Sequence, residues 1–257
     1  MNPADEAAGA SISAACIELR LPSVREHAGP FSDRARKDRV SHVGFLAELL
    51  AVELEDRAER RQTRRIGEAR FPRVKTLTGF DLDANPCLSP AQIAHLAQVG
   101  WIQAGEPVVF LGDSGTGKTH LLIGTGTAAC EQGLRVRYTT MASLANELAE
   151  AADDRSLSKA IGRYARLDLL LVDELGYVHL DPTGAELIFQ VITERDERAS
   201  VAVATNLPFS EWGSMFTDQR LCAAIVDRLT FAGHIIETGT ASYRLRTTKQ
   251  KKGGAKG

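Results

Sequence analysis

The sequence predicts an α/β fold: a five-stranded parallel sheet flanked by helices, with a small helical domain ahead of it. Three observations carry that expectation. From Val108 to Glu237, short apolar β-like runs alternate with helical stretches, the order that lays strands side by side in parallel with crossover helices on both faces. The first run leads straight into Gly112-Asp113-Ser114-Gly115-Thr116-Gly117-Lys118-Thr119, which fits the phosphate-loop template G-x-x-x-x-G-K-[ST]. The third run ends in the adjacent acids Asp173-Glu174, at the carboxyl edge where such sheets bind ligands.

The elements follow in order. From Ser41 the apolar residues Val43, Phe45, Leu46, Leu49, Leu50 and Leu54 recur near helical period, and charge dominates from Glu53 to Arg65, so one long helix is expected. Pro72 ends that pattern. Asn85-Pro86 and Ser89-Pro90 mark an irregular connection before a short helix around Ile93 to Val99. The expected strands are Val108–Leu111, Val136–Thr139, Leu167–Val172, Val201–Ala204 and His234–Glu237, with helices after each of the first four. The long stretch from Met141 to Arg166 is read as two helices, an insertion between the second and third strands. Gly124 and Gly126 lie inside the helix after the phosphate loop, where each costs about 1 kcal/mol relative to Ala, so close packing is expected there. These elements divide the chain into an N-terminal helical domain and linker (1–75), a nucleotide-binding domain (76–246) and a basic flexible tail (247–257).

With 257 residues and 44% apolar content, the chain can bury one large core and a smaller satellite. A net charge of −2 and a pI near 6.3 exclude a generally basic protein, so contact with nucleic acid has to come from a local patch. Cys16, Cys87, Cys130 and Cys222 form no C-x-x-C pair, which fits reduced thiols in the cytoplasm and gives no zinc pattern. No apolar run approaches the roughly 18 residues that span a bilayer, and the N-terminus lacks a signal region, so no membrane role is expected. No internal repeat is visible.

The phosphate loop predicts a bound nucleoside triphosphate. Its glycines let backbone N–H groups converge on phosphate oxygens, Lys118 reaches the β and γ phosphates, and the Thr119 hydroxyl ligates Mg²⁺. His120 has no second ligand within reach in sequence; it is expected in the first turn of the helix beside the phosphates, not at a metal. Asp173 would complete the Mg²⁺ shell, and Glu174 would orient an attacking water, which favours hydrolysis of ATP over phosphorylation of a small molecule. Asn206, after the fourth strand, is either a γ-phosphate and water sensor or a turn residue before Leu207-Pro208. Arg228, late in the last helix, is the candidate arginine finger for a neighbouring subunit, with Arg220 as its competitor. Between Arg57 and Lys75 basic residues greatly outnumber acidic ones, making Arg60, Arg61, Arg64 and Arg65 candidates for DNA phosphate contact. Lys159 and Arg163 in the inserted stretch are the next choice. The tail beyond Arg244 adds a second basic element.

Several of these strings together resemble a known family. Gly112–Thr119 with His120-Leu121, then Asp173-Glu174-Leu175-Gly176-Tyr177, Thr205-Asn206-Leu207-Pro208-Phe209-Ser210-Glu211-Trp212, Asp227-Arg228-Leu229 and Ser242-Tyr243-Arg244 resemble the IstB-like transposition helper ATPases, relatives of the DnaC helicase loaders within the AAA+ ATPases. The likeness runs from about Leu49 to Arg246 and departs from the usual pattern at Asp196 and Phe231, where an aromatic residue and a histidine are common. It implies a homo-oligomer, ring or helical filament, that assembles with ATP on duplex DNA and delivers it to the transposase of the same element, hydrolysis driving disassembly. The short stretch after the last strand leads to the expectation of no C-terminal lid, and hence of no lid-borne sensor arginine. A DnaC-like helicase loader is the alternative; a metabolic kinase would need a mobile lid and a small-substrate pocket.

Overall fold

The computed structural model describes residues 3–177, 179–216 and 218–243; the basic tail lies outside them. The chain divides into two compact units, Met1–Arg64 and Arg65–Gly257, so the division falls inside a helix and not at residue 75. The reason is packing: Ala69, Ile66 and Phe71 belong to the core that also holds Leu77 and the sheet.

The first unit contains α1 (Pro3–Glu18), α2 (Pro22–Asp38) and the start of α3 (His42–Ala69). Cys16, Val24 and Leu49 form its small core, with Phe31 and Phe45 against them. Glu53 is buried, and its Oε2 accepts from the Ser23 and Val24 amides at 2.9 and 3.2 Å, capping the open first turn of α2. Burial pushes its carboxyl up, but Arg57, 2.7 Å from Oε1, and the two amides outweigh that and hold it below the usual range. Arg60 also lies 3.5 Å from Glu53 and donates to Ser23 Oγ. Part of the basic run is therefore held by a buried carboxylate.

In the second unit α4 (Pro90–Gln98) starts earlier than expected. Ser89 and Gln92 form a reciprocal capping box with Pro90 in the first turn, so the Ser89-Pro90 step is a helix start and not part of the irregular connection. After the short α5 (Gly100–Gln103) come β1 (Val108–Leu111), α6 (Lys118–Glu131), β2 (Val136–Thr140), α7 (Met141–Asp153), α8 (Leu157–Ala165), β3 (Leu169–Leu175), α9 (Pro182–Arg195), β4 (Ser200–Thr205), a 3₁₀ turn (Phe209–Ser214), α10 (Gln219–Thr230) and β5 (His234–Glu237). The inserted stretch is two helices, as expected. The strands pair in the order β2-β3-β4-β1-β5, all parallel.

Alternation along the strands builds two cores. Val109, Leu170, Val172, Val201 and Val203 face α7, α9 and α10, whereas Phe110, Leu169, Leu171, Ala202 and Ala204 face α6 and α4. Because β1 is followed by a crossover to the far edge strand β2, while β5 lies on its other side, a crevice opens at its carboxyl end. Gly124 and Gly126 let α6 come close to the sheet and to the preceding linker, not to another helix. A Cβ at Gly124 would lie 3.0 Å from the Leu77 amide nitrogen, and one at Gly126 3.0 Å from the Phe71 ring.

Candidate nucleotide site

The phosphate loop spans the gap between β1 and α6, with Lys118 at the first helical position. Gly117 has φ of 102°, and a Cβ there would lie 2.7 Å from the Phe80 ring, so glycine is required both for the turn and for the wall beside it. The loop is pinned at three points by the segment that follows β5. Asp113 N–H donates to Gly239 O (3.0 Å), Tyr243 N–H to Gly115 O (3.0 Å), and the buried Thr116 shares a 2.6 Å hydroxyl contact with Thr238 after β5. The Lys118 ammonium donates to the carbonyls of Gly112 (2.6 Å) and Asp113 (2.7 Å), curled within the loop whose phosphates it would meet.

At the end of β3 the structure corrects the expected strand boundary: β3 continues through both acids to Leu175. Val172 pairs with Val203 and Leu175 with Thr205, so β3 carries one residue more than β4 between those pairs, and Glu174 takes φ of 60°. The bulge separates the two carboxylates. Asp173 is buried, accepting from Tyr138 Oη at 2.9 Å and from the Glu174 amide at 2.9 Å, while Glu174 is exposed to the cleft. Burial first, and then the Asp173 charge, push the Tyr138 phenol well up, so it remains a donor to that carboxylate.

Asn206 follows β4. Its Oδ1 is shielded from solvent without a hydrogen-bond partner among the described residues, and a Cβ at Gly176 would lie 2.7 Å from it, so the glycine of the Asp-Glu-Leu-Gly-Tyr string makes room for this amide. An unpartnered amide oxygen beside the two acids is an acceptor that the O–H of a bound water would satisfy.

A cleft of about 420 Å³ brings these groups together: Ser114 to His120 of the loop and α6, Asp173, Glu174 and Asn206 all line it. Sequence reasoning missed its other wall. Arg73, Lys75, Phe80 and Asn85 come from the linker before α4, so two cations expected to face DNA face the nucleotide cleft. Asn85 is buried and donates to Thr116 O and Thr238 O, each at 3.0 Å, tying linker, loop and β5 together. His120 lies against the linker with a ring nitrogen 2.9 Å from Thr76 O and its ring edge on Phe80. Burial chiefly, and the charges of Lys75 and Arg73, lower its pKa and favour the neutral imidazole in the first turn of α6.

The donor set suits Mg²⁺ held through phosphates. Thr119 and Asp173 are hard oxygen ligands, and among the described residues no cluster of three or more His, Cys, Asp or Glu could cage a metal alone.

Arg228 lies elsewhere. Its Nε is 3.3 Å from Asp196 Oδ2 without hydrogen-bond geometry, its guanidinium stacks 4.9 Å above Phe189, and its neighbours Pro107 and Val201 precede or begin strands. It therefore sits at the edge of the sheet opposite its own phosphate loop. Arg220 is exposed in the first turn of α10, beside the Asp218 cap. Of the DNA candidates, Arg60, Arg65 and Arg163 hold Glu53, Glu68 and Glu147, whereas Arg61 and Lys159 have no side-chain partner among the described residues. Among the described residues no helix is long and apolar enough to cross a membrane.

An all-parallel sheet in this order, with a phosphate loop after β1 and paired acids on β3, is the AAA+ P-loop fold. The fold matches AMPPCP-bound DnaA from Aquifex aeolicus (TM-score 0.54, 21% identity, 70% of this chain and 55% of that one) and DnaI (TM-score 0.54, 16% identity, 68% of this chain and 96% of that one). In another DnaA structure, with AMPPCP and single-stranded DNA, this chain spans about half of the length (49%; TM-score 0.52, 20% identity, 63% of this chain). Within that class the chain belongs to the IstB-like ATP binding proteins, whose family model matches residues 14–251. It is 35% identical to a protein of Sinorhizobium fredii named as an insertion-sequence ATP-binding protein (91% of this chain, 79% of that one), and 34% identical to one named for insertion sequence IS5376 of Geobacillus stearothermophilus (90% and 92%).

Proposed function

We propose that this protein is a Mg²⁺-dependent, cytoplasmic ATPase that assembles as a homo-oligomer on duplex DNA and hands that DNA to the transposase of its own insertion sequence, with hydrolysis releasing the assembly. The single observation behind the chemistry is the bulged end of β3, which sends Asp173 inward under a phenol donor and Glu174 out into the cleft that holds Lys118 and Asn206. Mg²⁺, when bound through Thr119 and Asp173, would offset the negative charge of the phosphates. Thr119 and Asp173 hold that ion, and Lys118 turns from the loop carbonyls to the phosphates. Glu174 orients and polarises the water, and the Asn206 amide fixes it from the side. Arg60, Arg61, Arg64, Arg65, Lys159 and Arg163 are assigned to phosphate-backbone contact, and the insertion-sequence names of the relatives support the transposase as partner.

Glu174→Gln tests the chemistry. It should bind ATP about as wild type does and hydrolyse it roughly 10²- to 10³-fold more slowly, since the metal shell stays while the water loses its base. Wild-type turnover by that variant removes Glu174 from the mechanism. DNA-stimulated turnover, measured with duplex and single-stranded DNA, tests the rest.

A further inference from the structure

Away from the nucleotide cleft, the edge strand β2 borders a second cavity of about 370 Å³ whose charged lining is dominated by arginine. Three of its arginines are compensated inside the protein: Arg65 by Glu68 at 3.0 Å, Arg135 by Asp168 at 2.8 Å, and Arg163 by Glu147. Three others, Arg70, Arg137 and Arg166, have no side-chain hydrogen bond or ion pair among the described residues. Arg137 is the costly one. It stands on the sheet face where its strand neighbour Thr139 is buried, and burial, followed by the nearby charge of Arg70, disfavours its cation. Arg70 reaches this place from a backbone with φ of 56°, just past the end of α3. A half-buried guanidinium, a second one close to it and a strained residue holding the second in place form an arrangement that an anion would stabilise.

We infer that this groove is a binding site for the phosphodiester backbone of duplex DNA, gripped by Arg70, Arg137 and Arg166. The ligand class follows from the lining. Guanidinium forks match phosphate oxygens two at a time, and the groove's cations are all arginine. An acidic protein partner would need a broad apolar anchor at the centre of its contact, but Val136 and Tyr164 in the groove wall are 3% and 1% exposed, which leaves the partly exposed Leu167 as the apolar side chain offered. The spread of the cations along the edge of a sheet suits a repeating phosphate chain better than a single small anion. The Arg65, Arg135 and Arg163 ion pairs hold the rim in shape, with Arg65 and Arg163 also at its edge toward the phosphate backbone, while Arg70, Arg137 and Arg166 supply the net positive charge.

This inference rests on the reading that the protein engages duplex DNA, and the two can fail separately. Full-length protein with ATP would be titrated onto a fluorescent duplex over a range of salt. The wild type would be compared with Arg70→Gln/Arg166→Gln, both at exposed positions, with Arg137→Gln, and with Arg60→Gln/Arg61→Gln on α3. The exposed double variant should bind duplex at least about tenfold more weakly, and its plot of log affinity against log salt should flatten by roughly 0.9 for each phosphate that is no longer neutralised. Arg137→Gln should flatten the plot by about one such step, and both variants should bind ATP as wild type does, which shows that they fold. Equal weakening on unrelated duplex sequences is expected, because no base is read. Unchanged affinity and slope in the groove variants, with weaker binding by the α3 variant, overturns the groove and leaves DNA binding standing. A wild type that ignores duplex at low salt overturns both.

Discussion

Glu174 concentrates the logic of the site in one residue. At the end of β3 an extra residue stands opposite β4, and Glu174, exposed to the cleft beside the buried Asp173, adopts a left-handed backbone. For a residue with a Cβ that conformation costs roughly 1–2 kcal/mol. Glycine would remove the cost while losing about 0.5–1 kcal/mol to the freedom of the unfolded chain. Glu174→Gly should therefore match the wild type in stability or exceed it by up to about 1 kcal/mol, although it removes the group assigned to the water. Denaturant unfolding without nucleotide measures this, and a loss of more than about 1 kcal/mol would mean that the carboxylate supports the fold. The identities of Lys118, Thr119, Asp173 and Glu174 are legible in sequence because motif and strand period both point at them. The bulge is not, because it exists only in the pairing of β3 with β4. Gly176 is visible as part of a string and acquires a reason only when Asn206 lies against it.

At the scale of elements, the strands stand within a few residues of expectation because they are apolar runs ended by polar residues. The helices α1 and α2 have no such signal in the sequence. The first is rich in Ala and Ser with little separation of faces, and the second, although amphipathic, carries Gly29 and Pro30 inside it, which read as helix breakers. The linker before α4 reads as an irregular connection, which is how it looks without its distant partners. Asn85 meets Thr238, 153 residues away in the chain, and no local pattern announces such a bond. That bond gives the linker a function: it closes one wall of the cleft and braces the loop through Thr116. Asn85→Ala leaves two carbonyls short of a donor in a buried place, so it should cost about 1–3 kcal/mol of stability. It should also weaken ATP binding more than hydrolysis by bound enzyme, because the loop loses its brace and the acids keep theirs. Calorimetric titration with ATP against single-turnover rates separates the two, and unchanged ATP affinity would reduce the linker to a mere cover.

At the scale of the whole molecule the question is whether a cation beyond Lys118, Arg73 and Lys75 reaches the transferred phosphate. Lys118, Asp173, Glu174 and Asn206 line one cleft, with Arg73 and Lys75 on its linker wall. Arg228 is at the opposite edge of the sheet, beyond the length of β1, about 13 Å at roughly 3.3 Å per residue. It cannot serve its own nucleotide, but a neighbouring subunit in an oligomer could receive it. Its contact with Asp196 is long and without hydrogen-bond geometry, so transfer to a phosphate has to release chiefly the Nη1 bond to Ala224 O (3.1 Å) and the stack on Phe189. The same contact explains where the departure from the family pattern at Asp196 acts: on the candidate finger itself. Arg228→Ala should bind ATP almost normally and hydrolyse it slowly even at high protein concentration, a finger being worth on the order of 10³ to 10⁵ in rate. Lys118→Ala should fail to bind ATP yet still carry its arginine. Mixed on duplex DNA, an intact nucleotide site from the first protein can face an intact arginine from the second, so ATPase activity should return as the two are combined and peak near equal amounts. If fluorescence transfer shows the two proteins together on DNA and no activity returns, the finger role of Arg228 fails, and Arg220, at the other end of α10, becomes the residue to replace next.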